Sequence, residues 1–106
     1  MLPVELRLDD FIAFLADHSN EVVGYSGLSF FHNPLAEWLA ASCGCLVAVD
    51  TDLYGRVASG RCYPLPGWAR RLASWLDACT CGVPLTGEMV FFAMSSIEVR
   101  APLPRL

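Results

Sequence analysis

Asn33-Pro34-Leu35-Ala36-Glu37-Trp38-Leu39-Ala40-Ala41-Ser42-Cys43-Gly44-Cys45-Leu46-Val47-Ala48-Val49 changes its character once, at Gly44, and that change decides the fold class. Asn33 can accept the free amide hydrogens of a first helical turn, and Pro34 at N1 has none to leave unsatisfied. Leu35, Trp38 and Leu39 give the buried stripe of a helix, and Gly44 can supply its left-handed cap. Leu46-Val47-Ala48-Val49 then reads as a strand. Helix followed directly by strand makes this an α+β chain.

Working toward the C-terminus, Asp52-Leu53-Tyr54-Gly55 is turn-like, which makes Val57 to Tyr63 the returning strand of a hairpin. Pro64 and Pro66 end that strand. In the next helix Trp68, Leu72, Trp75, Leu76 and Cys79 share one side, while Arg70, Ser74 and Asp77 share the other. Thr86 can cap a segment through Met89, Val90, Phe91, Phe92 and Met94, which is apolar all round and is therefore predicted to be buried, as helix or as strand. Toward the N-terminus, Val22 to Gly27 reads as an extended piece entering a loop. Before it, Asp9 and Asp10 suit a helix start, and Leu8, Phe11, Ile12 and Leu15 give a stripe that runs to about His18. The expectation is one small α+β domain over residues 1–101, with about four helices and one β-hairpin, and a loose tail at 102–106.

Apolar residues make up 55% of the 106 residues and charged ones 17%, the reverse of a disordered composition. No apolar run reaches the length of a membrane span, and Glu5 stands where a signal peptide carries positive charge, so a cytoplasmic location with no membrane contact is expected. Five cysteines, an odd number, read as reduced thiols in that compartment. The net charge of −4 is split unevenly, since residues 1–55 carry eight acids against Arg7 while residues 56–106 carry six Arg against three acids. An acidic half repels nucleic acid and steers toward basic surfaces.

Four arrangements bear on chemistry. Cys43-Gly44-Cys45 and Cys79-Thr80-Cys81 each follow a Trp-Leu helix, and four thiolates could hold tetrahedral zinc, although zinc pairs usually have two to four intervening residues. Without that convergence, Cys43 and Cys79 simply finish buried helix faces. Gly24-Tyr25-Ser26-Gly27 approaches a nucleophile elbow but has Leu28 where the last glycine belongs. His18, expected in the last turn of its helix, is accounted for by the macrodipole there. Phe30-Phe31-His32 lies in a loop between Glu21 and Glu37, where aromatics either tuck under the loop or anchor a partner.

The run from Phe11 to Leu39, through Phe11-Ile12-Ala13-Phe14-Leu15, Glu21-Val22-Val23-Gly24-Tyr25 and Asn33-Pro34-Leu35-Ala36, resembles small accessory proteins of prokaryotes and their phages. The resemblance carries over no functional residue. It implies a context of mobile elements, which includes anti-CRISPR inhibitors of host defence, often compact, acidic and non-enzymatic. The leading expectation is therefore a non-enzymatic protein without a cofactor. It would bind a basic protein partner, and not nucleic acid directly, through Asp17, Glu21, Tyr25, Phe30, Phe31, His32 and Glu37. One alternative is a metal or thiol protein using Cys43, Cys45, Cys79 and Cys81. Another is a small hydrolase using Ser26 or a cysteine with His18 or His32.

Overall fold

Asn33 fixes the start of one helix and the end of one strand with a single buried side chain. In the computed structural model, which describes residues 6–27 and 30–100, its Oδ1 accepts from the Ala36 amide at 2.9 Å and so caps α2 (Pro34–Cys43). Its Nδ2 donates to the Val49 carbonyl at 3.2 Å, at the end of β2 (Val47–Val49). Gly44 closes α2 at φ 69°, and its amide bonds to the Ala40 carbonyl, as the left-handed cap requires.

The hairpin forms two residues earlier than its sequence suggests. Asp50 Oδ1 accepts from the amides of Asp52 and Leu53 at 2.8 and 2.7 Å, so the turn is built on the Asp50 side chain. The expected turn at Asp52–Gly55 is instead mostly β3 (Leu53–Arg56), paired Val47↔Arg56 and Val49↔Tyr54. Val57 to Tyr63 is correspondingly not the returning strand. Only β4 (Tyr63–Pro64) pairs back on β3, and Pro64 lies on this edge strand, where a missing amide hydrogen is tolerated.

A second sheet escaped the sequence reading. β1 (Val22–Tyr25) pairs antiparallel with β5 (Pro84–Thr86), a three-residue strand far along the chain. Its register slips between Val22 and Gly24, and consequently Val23 and Gly24 are both buried while Val22 and Tyr25 are both exposed.

Helices cover these sheets. In α1 (Leu8–Asp17), Phe11 and Leu15 are buried with Leu8 and Ile12 packed beside them. The cap residue is Arg7, so Asp9 and Asp10 act only as first-turn acids that favour the helix dipole. In α3 (Gly67–Ala78) the fully buried positions are Ala69, Leu72, Ala73 and Leu76. Trp68 and Trp75 are half-buried at the margin of that face, and Cys79 has left the helix. Trp68 still joins the core, lying 5.4 Å from the Phe11 ring, with Trp38 5.0 Å from Phe11 on another side.

The apolar segment near the C-terminus is α4 (Gly87–Arg100), with Thr86 Oγ1 accepting from the Met89 amide. It is not buried all round. Val90, Ala93, Met94 and Ile97 face the core, whereas Met89, Phe91 and Phe92 are exposed, Phe92 at 63%. Its first amides bond to the turn after α1: Gly87 to the carbonyls of His18 and Glu21, and Glu88 to that of Ser19. A Cβ at Gly87 would lie 2.5 Å from the His18 carbonyl oxygen and collide with that of Leu15, so only glycine permits this approach. Among the described residues no helix is long and apolar enough to cross a membrane. The tail expected at 102–106 lies outside them.

Candidate functional site

The close passage of β1 beside the start of α2 creates an acidic recess in the surface. The Tyr25 amide bonds to the His32 carbonyl at 2.9 Å. A Cβ at Gly24 would fall 2.6 Å from the Pro34 nitrogen, so this strand can approach the helix start only with glycine there. Between them and the end of α1 lies an open groove of about 430 Å³, lined by Phe14, His18, Glu21, Val22, Val23, Gly24, Tyr25 and Glu37. Val23 and Gly24 are buried, and the exposed Tyr25 stands beside the two carboxylates.

Each carboxylate has an imidazole neighbour. His18 Nδ1 and Glu21 Oε1 are 2.8 Å apart, and His32 Nδ1 and Glu37 Oε2 are 3.5 Å apart. Phe14 packs against the His18 ring at 4.7 Å, which holds that imidazole against the end of α1. The groove's lining carries no Arg, so its formal charge comes from Glu21 and Glu37, offset only when the imidazoles are protonated.

Of the expected contact residues, the structure brings Glu21, Tyr25 and Glu37 to one groove, with His32 attached through Glu37. Asp17 is exposed at the end of α1, next to His18 in the chain. Phe30 and Phe31 are exposed rather than tucked under their loop, but Phe30 belongs elsewhere. It lines a smaller hollow of about 180 Å³ over the three-stranded sheet, with Tyr54, Arg56 and Arg61. Phe14, Val22 and Val23, which also line the groove, are not among those expected residues. The four-residue spacing of Phe14 and His18 on a helix was a readable sign that they share a face.

The residues of the alternative readings are placed as follows. Ser26 is buried, and its hydroxyl donates to the Thr80 carbonyl while accepting from the Val83 amide at 3.0 Å. It staples the end of β1 to the loop before β5. The hydrogen-bond partners of His18 and His32 are Glu21 and Glu37, so the imidazoles do not stand behind that hydroxyl. Cys43 and Cys45 meet each other with their sulfurs 2.8 Å apart, while Cys62 and Cys81 are exposed and Cys79 is half-buried. Among the described residues no three His, Cys, Asp or Glu side chains gather as metal ligands would, so the two Cys-x-Cys pairs do not form one site.

Comparison with known proteins finds no matching family, no similar curated protein and no matching solved structure.

Proposed function

We propose that the chain is a non-enzymatic interaction protein whose groove between α1, β1 and α2 receives a basic segment of a protein partner. The observation that carries this reading is the pairing of Glu21 and Glu37 with Tyr25 and Phe14 in one open recess of about 430 Å³. An Arg or Lys side chain entering there would meet two carboxylates and an aromatic ring, the combination that recognises such cations. Asp17, with the other acids of residues 1–55, adds long-range attraction, while the exposed Phe31 offers apolar contact on the adjoining loop. The resemblance from Phe11 to Leu39 extends the reading to an inhibitor of a host defence complex, occupying a basic groove that otherwise holds nucleic acid.

Affinity capture from the native host lysate identifies the partner, and variants then test the surface. Association should slow as salt rises, because charges at an interface rim act mainly on the on-rate. Reversing Asp17, Glu21 and Glu37 to Lys should weaken binding by at least about tenfold while leaving the circular dichroism unchanged. Binding indifferent to both salt and reversal would reduce the acidic half to a solubility device and end the proposal.

A further inference from the structure

Cys43 and Cys45 stand at the junction of α2 and β2, outside the acidic groove. Gly44 between them adopts φ 69°, a left-handed residue that turns the chain sharply enough to bring its two neighbours' side chains together. Their sulfurs are 2.8 Å apart, inside ordinary non-bonded contact and closer to the roughly 2.05 Å of a disulfide than two unrelated thiols come. Both are only partly buried, so a small reagent can reach them.

We propose that Cys43-Gly44-Cys45 is a redox-active dithiol, which exchanges with low-molecular-weight disulfides to form an intramolecular Cys43–Cys45 disulfide. Burial, together with the hydrogen bond shared with the Cys45 side chain, pushes the Cys43 thiol above its usual value, so Cys45 is the attacking member. Its thiolate attacks one sulfur of the incoming disulfide RSSR, forming a mixed disulfide and expelling RS⁻, which takes up the proton that Cys45 released. Cys43 then gives up its proton and attacks the Cys45 sulfur, and the second RS⁻ leaves as RSH. Two thiols lose two electrons and two protons, and one RSSR becomes two RSH. The last turn of α2 carries no basic side chain and presents carbonyl groups, so the helix end itself gives a thiolate no support. So short a loop gives the crosslink little entropic effect on folding, which suits a reversible chemical site rather than a structural clamp.

Trypsin makes the test direct. Cleavage after Arg7 and Arg56 gives a peptide of residues 8–56 whose only cysteines are Cys43 and Cys45, and Cys62 falls in a separate peptide of residues 62–70. The folded, reduced chain is equilibrated with mixtures of reduced and oxidised glutathione, quenched by alkylation, digested and weighed. The expected result is that peptide 8–56 becomes unalkylated and lighter by two hydrogens in a two-electron transition, with the internal disulfide exceeding any glutathione adduct by roughly tenfold. Cys62, exposed and without a neighbour in its peptide, should carry a glutathione adduct and so prove that the oxidant reacts. In Cys43→Ser, Cys45 should accumulate as a stable mixed disulfide, because nothing resolves it. The proposal is overturned if peptide 8–56 keeps two alkyl groups while Cys62 is modified. It is equally overturned if wild-type peptide 8–56 retains glutathione as the Cys43→Ser variant does.

Discussion

Asn33 illustrates how much one side chain can decide. It satisfies an amide at the start of α2 and a carbonyl at the end of β2, and it is fully buried. Asn33→Ala should cost about 2–4 kcal/mol in urea unfolding, the sum of a lost cap and an orphaned buried carbonyl. A loss under about 1 kcal/mol would mean that water replaces both bonds. Tyr54 offers a test in pH. Burial, with Tyr63 beside it, raises its phenol above the ordinary value, so the unfolded chain ionises first. Past about pH 10 the unfolded state therefore binds fewer protons than the folded one, and stability falls as pH rises. Cys43, also raised, starts a similar decline lower on the scale. Tyr54→Phe should flatten the part of the fall above about pH 10, and an unchanged slope would remove Tyr54 as its cause. The cap at Asn33 was legible because its geometry is local. Tyr54 read as a turn residue because only the fold shows that Asp50 makes the turn before it.

Among the elements, α4 departs furthest from its sequence pattern. Its apolar residues run right round the helix, yet the rest of the molecule covers one side only, leaving Phe91 and Phe92 in solvent. Phe92→Gln should change stability by less than about 0.5 kcal/mol, whereas Val90→Ala on the buried side should cost about 1–3 kcal/mol. Equal losses at the two positions would mean that the outer face is covered in solution. At the start of the same helix, Gly87→Ala should destabilise the protein by about 1–3 kcal/mol, because the new methyl meets carbonyls of the α1–β1 turn. In an exposed helix the same change is stabilising by up to about 1 kcal/mol, so the sign of the result is decisive. Periodicity could not reveal this crowding, since the colliding atoms belong to residues about seventy positions earlier.

The whole molecule is held together by contacts that join its two ends. α1 packs on α4, and β1 finds its ladder partner in β5. A fragment ending at Cys79 should therefore lack the cooperative unfolding transition of the full chain, as judged by circular dichroism during a urea titration. A folded fragment would show that residues 6–79 form an independent core. The α+β class, the capped limits of α2, the inward face of α1 and the concentration of acid in the first half all follow from the order of residues alone. All of these are set by neighbours within a few residues, through caps, helical periodicity and charge. Long-range packing brings Glu21, Tyr25 and Glu37 to one groove while Phe30 faces another hollow. The same packing makes Ser26 a staple, keeps the two cysteine pairs apart, and lets a three-residue strand at Pro84–Thr86 complete a sheet. These depend on which distant backbone groups satisfy one another's hydrogen bonds, and a short strand carries too few residues to announce its partner.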